Sequence, residues 1–450
     1  NCFVTGAFGS TVTFGDTSLS SYGSDDIFII KMDPHGNVLW AEQAGGTNLD
    51  QGNAVTTDSD GNCIVTGYYS LTPTFGDTTV NNAGNYDIFI AKYDMNGTLL
   101  WVETAGGQYF DQGNGIATDG FGNVAVTGKF SSQVAFGDTS IMSTRTFNSF
   151  IASYSPSGNL RWVEKAGGSP ADFGSGITTD PMGNVLVTGY FQGTGTFGDS
   201  LITSTGSGDI YLAKYAPSGD LKWARKAGGQ DLDQGYCVAT DHEGNSWVSG
   251  YFVGTATFGD TTLTSEAKDI FIAKYDSKGT VIWAGLAGGP GTDEGRGIAV
   301  DAHGNGFITG LFEGSATFDD TTLNSINYQD VFITKIGQDG VSSIGEPLLT
   351  ATGFQLSQNY PNPFNPTTTI RYVVGNSAVE TTYRASQQQR VQLTIHNLLG
   401  QKIATLVDAV QTSGRYSVSW DGTNDEGQSL ASGIYFYRLT VGGSSGERSG

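Results

Sequence analysis

Apolar residues in this chain occur in short runs between turn-forming residues, as in β-strands. The segment "DIFIAKYD", at 87–94 and again at 269–276, is apolar at almost every position rather than at alternate ones. A strand of this kind is covered on both faces, as when small sheets stack on one another. No window of about 11 to 18 residues has the i, i+3, i+4, i+7 apolar spacing of a helix. The pattern therefore predicts an all-β fold.

One two-strand phrase recurs along the first three quarters of the chain. It reads "VTGYYSLTPTFGDTTV" from Val65, and related copies begin at residues 4, 126, 187, 248 and 308, each 60 or 61 residues after the last. The module from Asp111 to about Gly167 reads as four strands with a hairpin-like insert. A tryptophan recurs in the fourth strand, where it is expected to pack on the next sheet: Trp40, Trp101, Trp162, Trp223 and Trp283. Repeats of this length with four strands each predict a β-propeller, with six four-stranded blades visible.

The repeat motifs resemble those of a known family. "DxxGNxxVTG" and "DIFIAKYDxxGxxxW", followed by "AGG", resemble the bacterial seven-bladed β-propeller repeat family over residues 1–345. The resemblance implies the fold but no function, because propellers host enzymes, lectins and scaffolds alike. The first module starts at its second strand. We therefore expect its first strand to lie upstream of Asn1, and a seventh blade there is the alternative blade count.

The charge of the chain is concentrated in the repeats. The net charge is −22, and residues 346–450 contribute none of it because they hold 7 acidic and 7 basic residues. A strongly acidic repeat region argues against nucleic acid as a partner. No apolar run approaches the roughly 20 residues of a membrane span. The three cysteines, Cys2, Cys63 and Cys237, do not suggest a disulfide framework.

A second domain follows the repeats. Residues 346–353 read as a polar linker, and strands with Asp, Asn and Gly turns at 354–450 predict a small β-sandwich. Its motifs closely resemble the C-terminal sorting domain of the type IX secretion system, which is related to the Ig-like domain of the flagellar hook-capping protein. The matching segments are 399–401, 420–422, 433–439 and the sorting motif Asn359, Pro361, Asn362, Pro363, Phe364, Asn365 and Pro366. The resemblance implies export by that machinery to the medium or the outer-membrane surface of a bacterium. The Gly/Ser-rich tail 442–450 is expected to replace the family's last strand.

Candidate chemistry is limited to repeated carboxylates. Each "DxxGN" turn places an Asp three residues before a Gly, so that the Asp can close its own turn. Calcium at Asp58 and Asp60 is the less favoured alternative. Repetition in every blade suits architecture better than an active site, and none of the four histidines pairs with another at metal-ligand spacing. We expect no catalytic residue and no cofactor.

Two functions from different classes remain. The leading hypothesis is a secreted or cell-surface, monomeric, non-enzymatic propeller that binds a glycan or protein partner. The rival is a secreted lyase or glycosidase, which would need two carboxylates flanking one glycosidic bond. Binding is expected on the face that carries the longest loops. Aromatic side chains there could stack on sugar rings beside carboxylates, and the candidate ligand-binding residues are Tyr109, Phe110, Phe173, Asp111 and Asp172.

Overall fold

The computed structural model has two compact units, Asn1–Ile344 and Gly345–Gly450. It describes residues 1–143, 146–168, 171–319, 321–326, 328–337, 355–356, 359, 367–374, 389–397, 400–412, 414–430, 433, 435–441 and 444–449. These residues form strands and turns and contain no helix, which confirms the all-β prediction. The proposed linker 346–353 lies outside the described residues.

The first unit is a β-propeller, as predicted, and its first three blades are antiparallel sheets. Blade 1 has three strands, β1 (Cys2–Phe14), β2 (Thr17–Met32) and β3 (Val38–Gly45). Blade 2 has β4 (Gln51–Thr57), β5 (Cys63–Tyr69), β8 (Asp87–Tyr93) and β9 (Leu99–Gly107). Blade 3 has β10 (Gln112–Thr118), β11 (Val124–Phe130), β14 (Asn148–Tyr154) and β15 (Leu160–Gly167).

The remaining blades repeat this order. Blade 4 has β16 (Asp172–Thr179), β17 (Val185–Phe191), β20 (Asp209–Tyr215) and β21 (Leu221–Gly229). Blade 5 has β22 (Gln234–Thr240), β23 (Ser246–Phe258), β24 (Thr261–Tyr275) and β25 (Val281–Ala287). In blade 6 the described strands are β26 (Glu294–Val300), β27 (Gly306–Phe312) and β30 (Asp330–Ile336). Four strands are therefore described in blades 2 to 5 and three in blades 1 and 6.

The insert in each module is a hairpin, and in blades 2 to 6 it pairs with the preceding blade, at its last strand or the residue just after it. The separate hairpin strands are β6 (Thr74–Phe75), β7 (Thr78–Thr79), β12 (Gln133–Phe136), β13 (Thr139–Met142), β18 (Thr194–Phe197), β19 (Ser200–Thr203), β28 (Ser315–Phe318) and β29 (Thr321–Asn324). The hairpin of blade 2 pairs with the last strand of blade 1, with Phe75 opposite Ala44. Phe136 opposite Ala105 and Phe197 opposite Ala166 repeat this pairing. Backbone hydrogen bonds thus link each of these blades to the one before it.

The core lies between the blades. Every residue of β8 is buried, because both faces of this third strand are covered by neighbouring sheets. The tryptophans pack across the junctions, as predicted: Trp101 Nε1 donates to the Pro156 carbonyl of the next blade at 3.1 Å. The first strands of successive blades are also tied together, since Thr118 Oγ1 donates to the Thr57 carbonyl at 2.6 Å. Burial and these bonds fix each blade against the next.

The "DxxGN" turns close as the sequence indicates. Asp58 Oδ1 accepts the Asp60 and Asn62 backbone N–H groups at 3.0 and 2.9 Å, and Gly61 takes a φ of 80° that favours glycine. Asp58 Oδ2 also forms a buried ion pair with Lys92 Nζ at 2.8 Å. N–H donors and an ammonium group therefore surround the carboxylate of Asp58, the alternative calcium ligand. Among the described residues, no group of three or more His, Cys, Asp or Glu side chains could hold a metal ion.

The second unit consists of two antiparallel sheets. Their strands are β31 (Gln355–Leu356), β32 (Thr368–Val374), β35 (Gly414–Trp420), β33 (Gln389–His396), β34 (Lys402–Gln411), β36 (Phe436–Val441) and β37 (Ser444–Ser449). The last of these corrects a prediction, because the Gly/Ser-rich tail pairs with β36, with Arg438 opposite Glu447. Backbone hydrogen bonding at a sheet edge does not require apolar side chains, so composition was a poor guide here.

Candidate functional site

A buried aspartate closes the loop that precedes the first strand of each blade from 2 to 6. In blade 3, Asp111 Oδ2 accepts the Gly107 N–H at 2.8 Å and Oδ1 accepts the Ser131 N–H at 3.0 Å. Burial raises the pKa of Asp111 to about 7, although both hydrogen bonds act to lower it. Asp172 is placed in the same way in blade 4. Both carboxyl groups are fully buried, and their hydrogen bonds to backbone N–H groups stabilise the loops above them.

We call the surface formed by these loops and the inserts the loop face. Between blades 2 and 3 it contains a pocket of about 330 Å³. The pocket lies where the loop before β10 meets β5, β11 and the residues preceding β8 and β14. Its lining residues are Tyr68, Tyr86, Phe110, Phe147, Lys129, Gln112, Leu49 and Asp111. The described lining is thus largely aromatic, with one cation.

The aromatic rings of this pocket touch one another. The Tyr68 and Tyr86 ring centroids lie 5.2 Å apart, and those of Tyr86 and Phe110 lie 5.1 Å apart. On the other side, Phe147 contacts Phe173 at 5.9 Å. Ring-to-ring contact restrains these side chains, so the pocket walls are largely preformed.

Lys129 connects the pocket to the neighbouring blade. Its Nζ lies 5.2 Å from the Phe147 ring centroid and 5.3 Å from that of Phe173. The side chain forms no ion pair with any described residue, and burial lowers its pKa. Cation–π contact with the two rings compensates part of the lost hydration.

The five candidate ligand-binding residues fall into two groups. Tyr109 and Phe110 are each 47% exposed on the loop face, and Phe110 lines the pocket. Phe173 stacks on Tyr190 with ring centroids 5.6 Å apart and lies beside Lys129. Asp111 and Asp172 are buried and bound to backbone N–H groups. We therefore expect the aspartates to shape the surface and the aromatic residues to contact a ligand.

Sequence analysis missed the pocket residues Tyr68, Tyr86, Phe147 and Lys129. For Tyr68 and Lys129 the signal was present in one repeat position, the residue that follows the glycine of the "VTG" motif in the second strand. There the blades carry Ala7, Tyr68, Lys129, Tyr190, Tyr251 and Leu311. Variation at one position of an otherwise regular strand marks a surface that the fold does not constrain.

A second buried carboxyl group accompanies the loop aspartate in most blades. The Oδ1 atoms of Asp26, Asp87, Asp209 and Asp269 are buried and receive no hydrogen bond from the described residues. Between blades 4 and 5, both members of such a pair face one glycine: a Cβ built on Gly228 would lie 2.9 Å from Asp209 Oδ1 and 2.7 Å from Asp233 Oδ2. Burial raises the pKa of Asp233 to about 7.

Two family models match parts of the chain. Residues 161–190 match a β-propeller repeat, and residues 368–446 match the FlgD Ig-like domain. These matches confirm the propeller-repeat resemblance and the relation of the second domain to the FlgD Ig-like domain. No helical segment of the described residues has the length and hydropathy to cross a membrane.

The curated relatives are much longer than the matched regions. An uncharacterized WD repeat-containing protein of Acanthamoeba polyphaga mimivirus is 28% identical over 55% of this chain and 23% of its own length. The regulatory protein FlaEY of Caulobacter vibrioides is 23% identical over 35% of this chain and 18% of its own length. The chain therefore spans about a quarter of these relatives or less.

Two solved structures are similar to parts of this chain at low identity. A puromycin hydrolase is 11% identical, with a TM-score of 0.32 over 78% of this chain and 49% of that chain. PorZ, described as an essential bacterial surface component of the type-IX secretion system of Porphyromonas gingivalis, is 11% identical, with a TM-score of 0.18 over 94% of this chain and 78% of that chain. These scores are too low for either structure to indicate a function.

Proposed function

We propose that this protein is a secreted or surface-attached bacterial propeller that binds a glycan without transforming it. Binding takes place at the pocket between blades 2 and 3. The observation that carries the proposal is the described lining of that pocket, in which Tyr68, Tyr86, Phe110 and Phe147 surround a space of about 330 Å³. Small-molecule sites commonly occupy about 300–1,000 Å³, and the apolar faces of sugar rings stack on aromatic side chains.

The carboxyl groups near the pocket favour binding over hydrolysis. A glycosidase places two carboxyl groups on either side of the scissile bond. The carboxyl group in the described lining is that of Asp111, whose two oxygens each accept a backbone N–H. The same arrangement recurs at Asp172 in blade 4, so it serves the fold rather than one reaction.

The Ig-like domain supplies the export signal in this proposal. Support comes from the match of residues 368–446 to the FlgD Ig-like domain and from the motif at 359–366. Asn359 is the residue of that motif that the structure describes. It is buried, and its Nδ2 donates to Thr368 Oγ1 at 3.0 Å. Pro361, Asn362, Pro363, Phe364, Asn365 and Pro366 lie outside the described residues.

A glycan array followed by calorimetry tests the binding site. Phe110→Ala removes a ring from the pocket and should weaken binding of the selected glycan by about tenfold, as expected for a central aromatic contact. Tyr109→Ala, beside it on the loop face, should weaken binding less. Phe121→Ala is the matched control, because Phe121 is 74% exposed in a "DxxGN" turn away from the pocket. Equal affinity of all three folded variants and the parent would refute this location.

Deletion of residues 346–450 tests the export signal in a bacterium that has type IX secretion machinery. The truncated propeller should remain in the periplasm and resist proteolysis there. Surface display or release of this variant at the parental level would contradict the proposed role of the domain.

A further inference from the structure

Lys129 is a cation that forms no ion pair with any residue that the structure describes. Its strand neighbour in the lining is Gln112, which lies directly opposite it in the β10–β11 pairing and is neutral. The Asp111 carboxylate is bound to the Gly107 and Ser131 N–H groups. Lys129 Nζ therefore has the Phe147 and Phe173 rings as its contacts among the described residues.

Another part of the loop face shows how the same protein neutralises such a lysine. Lys268 Nζ lies 3.6 Å from the Tyr251 ring centroid and forms an ion pair with Glu294. Glu294 belongs to the repeat position that holds Phe173 in blade 4. Beside Lys129, an aromatic ring thus replaces the carboxylate that partners Lys268.

An unpaired ammonium group at a pocket wall favours an anionic ligand. Partial burial disfavours the charged form of Lys129, and a bound anion would offset this cost. A cationic ligand would instead be repelled by the Lys129 ammonium group, which already contacts the Phe147 and Phe173 rings. The pocket therefore favours an anionic ligand, although the whole chain has a net charge of −22.

We propose that the glycan bound in this pocket is acidic, and that Lys129 binds its carboxylate or sulfate group while the aromatic rings contact the sugar. This inference rests on the proposed glycan-binding function and specifies its ligand class. A uronic acid and a sulfated sugar offer the same chemistry, namely an anion attached to a ring that can stack on Phe110 or Phe147.

Matched pairs of oligosaccharides distinguish the two sources of charge. The first pair is a set of oligouronates and their methyl esters, which differ only in the charge of the carboxyl groups. The second pair is a set of sulfated galactan oligomers and their desulfated forms. Calorimetry with the full chain should show that the acid of at least one pair binds about tenfold more tightly than its neutral form, as expected for a hydrogen bond to a charged group.

Lys129→Gln should abolish this preference, so that the charged and neutral forms of each pair bind this variant with equal affinity. Lys222→Gln is the control, because it removes an equal charge from an exposed position on β21. Phe110→Ala should weaken the charged and neutral forms alike.

Each outcome decides between the two proposals. If charged and neutral forms bind equally, or if Lys129→Gln keeps the preference, the acidic-ligand inference is wrong while glycan binding stands. If a broad glycan array and both pairs give no binding at all, the proposed function fails and the inference fails with it.

Discussion

Asn148 Nδ2 donates to the carboxylate of Asp172 at 2.9 Å in the buried base of the loop face of blade 4. The same nitrogen also donates to the Gly168 carbonyl at 2.9 Å. In the repeat position of Asn148, the five other blades carry aspartate, and the Oδ1 atoms of four of these, Asp26, Asp87, Asp209 and Asp269, receive no hydrogen bond from the described residues. The Asn148 amide thus donates a hydrogen bond at a position where the other blades place an aspartate oxygen beside hydrogen-bond acceptors. We infer that one carboxyl group of each aspartate pair, such as Asp87 and Asp111, carries a proton.

This relationship predicts that the propeller loses stability as pH rises. Burial raises the pKa of Asp87 to about 6 and that of Asp111 to about 7, whereas both would titrate near 3.8 in the unfolded chain. Between about pH 4 and 7 the folded state therefore binds more protons than the unfolded state, and the free energy of unfolding falls across this window. Thermal melts should give a higher Tm at pH 5 than at pH 8. A Tm that rises over this range would contradict the shared protons.

Replacing one aspartate of a pair by asparagine should remove part of this pH dependence. Asp87→Asn reproduces the donor that Asn148 supplies in blade 3. It should stabilise the protein at pH 8 by about 1–3 kcal/mol, the typical penalty for a buried polar group without a partner. At pH 5, where the proton is present, the change should be small.

The control for this experiment is Asp77→Asn, which removes the same charge from an exposed turn. Chemical denaturation at both pH values would measure the two variants. A gain at pH 8 from Asp77→Asn as large as that from Asp87→Asn would assign the effect to net charge instead of the buried pair.

The ion pairs on the opposite ends of the blades should contribute strongly to stability. Lys214 Nζ lies 2.8 Å from Asp180 Oδ2, and both side chains are almost fully buried. Burial alone would raise the pKa of Asp180, but hydrogen bonds from Lys214 and Asn184 outweigh it and lower that pKa. Lys214→Met leaves a buried carboxylate unpaired and should destabilise the protein by about 3–5 kcal/mol. The exposed Lys222→Met should change the free energy of unfolding by less than about 0.5 kcal/mol.

A glycine of the "AGG" motif should resist substitution for a steric reason. A Cβ added to Gly106 would overlap the carboxyl group of Asp87, which is itself packed beneath the loop. Gly106→Ala should therefore destabilise blade 2 by at least about 1–3 kcal/mol, the usual range for overpacking.

Gly120→Ala provides the comparison, because an added Cβ there would meet nothing within 4 Å. Urea denaturation of both variants would show whether the close approach of Gly106 to Asp87 is required. Equal stability of the two variants would mean that the loop can move away from the new methyl group.

Much of the fold could be predicted because its determinants are local and repeated. The apolar run at 87–94 became β8, and Asp58 closes its turn on Gly61 as expected. Trp101 packs on the next blade because a large ring at this register is buried most readily against the neighbouring sheet. The strand at Ser444–Ser449 was missed, since its Gly/Ser-rich composition carries little of the information that edge pairing uses.

The candidate site was only partly predictable. Phe110 could be found because it places an aromatic ring in a loop that carries none in the sister blades. Tyr68, Lys129 and Phe147 lie in different repeats or on different strands, and each looks unremarkable within its own segment. Their common pocket depends on how two blades pack side by side, which no single segment encodes.

The sequence by itself determined the number of visible modules, their strands and their turns, because these follow from apolar patterning, from Asp and Gly chemistry within a few residues, and from a regular period. Only the tertiary structure decided which side chains share a pocket and which carboxyl groups are buried near one another. Both outcomes depend on distances between residues remote in the chain. They also depend on the exclusion of water from Lys129, whose Nζ contacts two aromatic rings, and from Asp87, whose Oδ1 receives no hydrogen bond from the described residues.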